Sequence, residues 1–135
     1  MDCPWSVRAG VTLVRVAAAA MMFVHGVARV RLGTVESFGS FLSSHDFPFG
    51  PPLAWALTIG EIVGGALLAA GFLVRPLALW FVAELMMGIL LVHAKFGWFV
   101  VGAGQGGAEY SVLLIAALLG VALADPASYR LLRRL

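Results

Sequence analysis

The sequence predicts an all-α membrane protein, a four-transmembrane-helix bundle with a short amphipathic interfacial helix between its first two helices, forming one domain over residues 1–135. Three observations carry this expectation. Four apolar segments fill most of the chain, and 61% of residues are hydrophobic against 12% charged. Each segment approaches the roughly 20 residues that about 30 Å of hydrocarbon requires, and what remains is too short to hold a soluble domain. Two segments carry a glutamate near mid-span, Glu61 and Glu84. An ionisable side chain in hydrocarbon is costly, so each is expected to face a partner, a cavity or a ligand.

The first span is read over residues 9–30. Arg8 precedes it and the alanines at 17–20 resemble a cleavage site, but the apolar run continues through Met21, Met22, Phe23 and Val24, too far for a secretory leader. The connection that follows places Val35, Phe38, Phe41 and Leu42 at helical spacing after Thr34, a candidate cap. That pattern predicts a short helix lying on the membrane surface, ended by the stiff Phe47-Pro48-Phe49-Gly50-Pro51-Pro52 stretch. In the second span, residues 52–73, Gly60 and Gly64 make a small-xxx-small step that lets a neighbouring backbone come close. Arg75-Pro76 permits only a tight turn, with Pro76 in the first turn of the third span, residues 76–92. Phe96, Trp98 and Phe99 then suit interfacial anchoring, and Gly102, Gly104, Gly106 and Gly107 let the chain bend before the fourth span, residues 108–124.

Orientation follows from the basic residues. Arg8, Arg75, Arg130, Arg133 and Arg134 fall on the side of the N-terminus, side A, and Arg29, Arg31 and Lys95 on the other, side B. Lys and Arg concentrate in cytoplasmic loops, so side A is expected to be cytoplasmic and both termini inside. The chain has one cysteine, Cys3. One thiol cannot cycle as a dithiol, which excludes a self-contained disulfide-generating enzyme and a cysteine-ligated metal. No metal site and no nucleic-acid partner are expected.

Counting about 1.5 Å of rise per residue brings His25, His93 and Glu109 within roughly 6 Å of side B and leaves Glu61 roughly 13 Å beneath it. Three helices thus deliver polar groups to one end of the bundle, above a deep carboxylate, as in a funnel covered by two long connections. Glu61, His25, His93 and Glu109 are the candidate catalytic set, with Tyr110 beside them. The same count places Arg15 and Glu84 at matching depths of about 10 and 12 Å below side A. Since neither suits hydrocarbon alone, a structural ion pair between them is expected.

These residues resemble the DoxX family of small four-span bacterial membrane proteins over nearly the whole chain. The resemblance rests on His25-Gly26 followed by Arg29, on the run GEIVGGALLAAG that contains Glu61, Gly65 and Gly71, on His93 closing the third span, and on Gly106-Gly107-Ala108-Glu109-Tyr110 opening the fourth. The tail departs from the pattern, reading Asp125-Pro126-Ala127-Ser128-Tyr129 and then Arg130, and Glu84 is foreign to it. The resemblance implies a quinone-linked redox subunit related to the membrane part of thiosulfate:quinone oxidoreductase, working with soluble partners in thiol and oxidative-stress handling. Arg29, Tyr110 and Trp98 are then the candidate substrate-binding residues.

Quinone reduction needs an apolar slot, hydrogen-bond donors and a proton route, and His25, His93, Glu61, Glu109 and Tyr110 can supply the donors and the route. The sequence shows no flavin motif or cysteine pair to carry electrons, so a partner or the substrate itself must deliver them. Three other classes stay open. A haem protein would use His25 and His93 as paired axial ligands, a small-molecule transporter would use the funnel as a homo-oligomer, and a non-catalytic scaffold would dock partners in the bilayer.

Overall fold

The computed structural model of the chain describes residues 5–125, which form five α-helices and a short 3-10 turn with no β-strand among them. Cys3, Arg130, Arg133, Arg134 and the tail motif after Asp125 lie outside the described residues. Three helices are long and apolar enough to cross a membrane: α1 (Trp5–Arg31), α3 (Gly50–Ala70) and α4 (Val74–Leu91). Only 22%, 33% and 17% of their apolar windows are buried within the protein, so most of each apolar surface faces outward and requires lipid. The segment expected as a fourth span forms a shorter apolar helix, α5 (Glu109–Ala124), of 16 residues. A short helix, α2 (Val35–Ser44), forms in the connection where a surface helix is expected.

The described residues group into two compact units, those within Ala19–Phe72 and those within Met1–Ala18 and Leu73–Leu135. In the first unit, α1 ends on Gly33, whose φ of +66° suits a residue without a side chain. Gly33 N–H donates to Val30 O at 3.1 Å and Thr34 N–H to Arg29 O at 3.0 Å, the paired closure that satisfies the last carbonyls of a helix. Thr34 does not cap α2 with its side chain as expected. Its hydroxyl donates back to Arg29 O at 3.3 Å, because the closure of α1 has already turned it toward that helix.

α2 packs along the first turns of α3, with Val35, Leu42 and Ala54 at the centre of the contact and Phe38, Phe41, Phe47, Leu53 and Leu57 around it. Gly39 makes this approach feasible, since a Cβ there would lie 2.6 Å from Pro51 Cα. Trp55 Nε1 donates to Glu36 Oε1 at 3.0 Å on the rim of the same contact. Pro51 and Pro52 occupy the first turn of α3, where a missing N–H costs nothing.

Small residues hold α1 to α3. A Cβ on Gly26 would stand 2.9 Å from Thr58 O, and one on Gly65 would stand 3.0 Å from Ala19 O. The two helices therefore run antiparallel at near-backbone contact, the geometry that small residues permit in membranes. In the second unit, α4 packs along α5, with Pro76 in the first turn of α4 as expected.

Candidate functional site

The first unit buries one charged constellation. Arg29, in the last turns of α1, donates from Nη1 to Glu61 Oε2 at 2.6 Å and from Nη2 to Glu61 Oε1 at 3.2 Å, a two-pronged grip on the carboxylate. The Arg29 and Glu61 side chains are 14% and 3% exposed. Nη1 also donates to Thr58 Oγ1 at 3.0 Å, and the Thr58 hydroxyl donates onward to Ala54 O at 2.7 Å. Thr58 lies one turn before Glu61 on α3, so both present oxygens to the same guanidinium. From α2, the Phe38 ring lies 4.5 Å from Arg29 Cζ and covers the cation.

The sequence marks Glu61 as a deep carboxylate without naming a partner, and in the structure the residue is buried within the protein, 2% exposed. Sequence reasoning assigned Arg29 to substrate through the family resemblance alone, and it passed over Thr58 altogether. The rule that an intramembrane charge finds an opposite charge, already applied to Arg15 and Glu84, was the available signal. Thr58, at i−3 from Glu61, was legible as a hydroxyl on the same helical face.

His25 is exposed beside an open groove on α1 that Ala20, Met21, Val24 and Ala28 also line. His25 and Glu61 thus share the first unit, but His25 belongs to a different face of α1 from Gly26, which meets α3.

His93, Glu109 and Tyr110 belong to the second unit, where the first two organise the connection between α4 and α5. His93 opens a 3-10 turn, His93–Phe96, directly after α4. Its Nδ1 lies 2.7 Å from Gly106 O. A carbonyl only accepts, so Nδ1 carries the proton and a neutral ring keeps its Nε2 lone pair for other use. Glu109, the first residue of α5, accepts from Val100 N–H through Oε1 at 2.9 Å. Three backbone bonds close the loop: Gly107 N–H to Phe99 O, Ala108 N–H to Gly97 O and Glu109 N–H to Trp98 O, each 3.0 Å. The glycines read as bends serve this closure. Of these, Gly102 and Gly106 have φ of +86° and +74°, and Gly97, which that reading did not include, has φ of +79°. Trp98 and Tyr110 are exposed, at 54% and 57%.

Arg15 and Glu84 lie in the same unit and are each partly buried, with Arg15 Nε and Glu84 Oε2 shut off from solvent. Among the described residues no three His, Cys, Asp or Glu side chains cluster as a metal site.

The sequence profile of the DoxX family matches residues 10–94, which contain the whole Arg29–Thr58–Glu61 constellation. A Bacillus subtilis (strain 168) protein named "Putative oxidoreductase CatD" is 29% identical over 122 residues, covering 87% of this chain and 81% of its own length. No solved structure matches the chain.

Proposed function

The chain belongs to the DoxX family, and from that premise we propose that it is the membrane subunit of a quinone-linked redox system centred on Arg29 and Glu61. One observation carries the reading: a complete ion pair, 2.6 Å long, is largely buried between α1 and α3, two helices long and apolar enough to cross a membrane. Taking two charges out of water costs several kcal/mol per ion before their attraction offsets it, and apolar packing holds helices together without that cost. Charge kept in such a place marks a working site.

Reduction of a quinone to a quinol takes two electrons and two protons. Glu61 is a group that can accept and return a proton, and Arg29 holds it in a fixed orientation while supplying N–H donors. His25, in the same unit, is the candidate to pass protons to Glu61, while His93, with Nε2 available, Glu109 and Tyr110 are candidate proton-carrying groups of the second unit and Trp98 a candidate substrate contact there. Electrons come from a soluble partner in thiol or oxidative-stress handling, and the oxidoreductase name of the Bacillus subtilis relative supports a redox role. In this reading α5 is the fourth span, α2 lies at the membrane surface, Arg15 pairs with Glu84, and both termini are cytoplasmic in a bacterial inner membrane.

The test is a Glu61→Gln variant in a strain lacking the chromosomal copy, assayed for quinone reduction by isolated membranes. Loss of reduction at unchanged protein level is expected, and full activity would overturn the proposal. A scaffold is the second reading, favoured by the way Thr58 and Glu61 together occupy the inner donors of Arg29. It predicts that Glu61→Gln retains function and still co-purifies with its partners.

A further inference from the structure

We propose that the outer edge of the Arg29 guanidinium is a binding site for an uncharged carbonyl oxygen. Arginine presents five N–H donors in one rigid plane. Three are spent here, two from Nη1 on Thr58 Oγ1 and Glu61 Oε2 and one from Nη2 on Glu61 Oε1. Because Glu61 straddles the end of the fork between Nη1 and Nη2, the two N–H groups left over are Nε–H and the second on Nη2. These lie side by side on the adjacent edge and point the same way. Among the described residues no side chain or carbonyl accepts from them.

The surroundings keep this edge in place. Thr58 gives its single hydroxyl hydrogen to Ala54 O, so it offers Arg29 only lone pairs and anchors Nη1. Phe38 covers one face of the cation. A ligand therefore meets the guanidinium edge-on, at the two parallel donors.

The charge of the ligand follows from the pair. Arg29 and Glu61 cancel, and both are largely shielded from water. A second anion there would leave net negative charge in a low-dielectric setting, which costs far more than a neutral acceptor. A carbonyl oxygen, with two lone pairs and no charge, fits both donors. Two membrane sources share that chemistry, a lipophilic ketone or quinone and the ester carbonyl of a phospholipid. The inference supplies the ligand chemistry of the centre described above and rests on that reading.

The experiment measures menadione binding to the purified full chain in maltoside detergent by equilibrium dialysis, with oleate as the anionic competitor and native mass spectrometry to follow retained phospholipid. Saturable menadione binding, weakened at least tenfold in Arg29→Lys, is expected, since lysine keeps the charge but loses the parallel donors. Phospholipid retained by the wild type, displaced by menadione and lost in Arg29→Lys, identifies the ester source and also supports the site. In wild-type protein carrying 15N-arginine, menadione shifts one Nε–H resonance, a readout that needs no variant to fold. Tighter binding of oleate than menadione, unchanged menadione affinity in Arg29→Lys, or no shifted Nε–H resonance would overturn the inference. Membranes that reduce quinone with an Arg29-independent menadione site sink this inference alone. An Arg29-dependent menadione site without any quinone reduction sinks the redox proposal alone.

Discussion

Gly26 of α1 faces Glu61 of α3 so closely that a β-carbon on Gly26 would stand 3.0 Å from Glu61 Cβ. This contact sets the register of the two helices. It brings Arg29, the next turn of α1, above the carboxylate, and Cα–Cβ bonds that tilt toward each helix's own N-terminus then aim the two side chains at one another. The ion pair thus depends on a glycine that takes no part in it.

Substituting the contact glycines should separate packing from charge. Gly26→Ala and Gly65→Ala place a Cβ 2.9 and 3.0 Å from backbone oxygens that cannot easily yield, so each should destabilise by about 1–3 kcal/mol. Gly88→Ala and Gly120→Ala meet nothing within 4 Å and should leave stability unchanged or slightly raised. Thermal unfolding of the four variants in one detergent checks the ordering.

Breaking the Arg29–Glu61 pair on one side should cost more than replacing it whole. Arg29→Leu leaves a buried carboxylate without its partner and should lower stability by about 3 kcal/mol, whereas Arg29→Leu with Glu61→Leu should recover most of that loss. Redox activity should be absent from both. Recovery of activity along with stability in the double variant would show the pair to be structural.

The loop between α4 and α5 should loosen when its side-chain acceptor goes. Glu109→Ala removes the partner of Val100 N–H and should speed hydrogen exchange at that amide by about tenfold, while Glu109→Gln keeps an acceptor oxygen and should change it little. Amide exchange followed by mass spectrometry tests this directly.

Reversing the charges of Arg15 and Glu84 should reveal their pairing. Arg15→Glu and Glu84→Arg are each expected to reduce the yield of folded protein severalfold, and the double reversal to restore it. Size-exclusion profiles of the three variants decide the matter, and no rescue in the double variant counts against the pair.

Topology can be read with C-terminal reporters. A fluorescent protein that matures only in the cytoplasm should be active at the C-terminus, and an alkaline phosphatase that works only after export should be inactive there. The opposite pattern would place the C-terminus outside and overturn the expected orientation.

What the sequence determined by itself were the local properties, because these depend on neighbours along the chain. Apolar runs gave the spans at 9–30, 52–73 and 76–92, realised as Trp5–Arg31, Gly50–Ala70 and Val74–Leu91, and helical spacing at Val35, Phe38 and Leu42 gave α2. The need of a buried acid for a partner was equally plain at Glu61. Which partner it takes was decided by tertiary structure. Counting depth from the end of each apolar run treats those ends as level, and so separates Arg29, one residue from the end of its run, from Glu61, nine residues into its own. In the fold, Gly26 meets Thr58 and Glu61, with five residues of α1 beyond Gly26 and eight of α3 before Thr58, so α3 extends past the end of α1 and lies against α2 there. Register between helices is fixed by where backbones can approach, and that depends on side-chain volumes on both helices at once. The same limit hid the work of His93 and Glu109. Their spacing marked them as polar groups at helix ends, but only the closed loop shows that one holds Gly106 O and the other Val100 N–H.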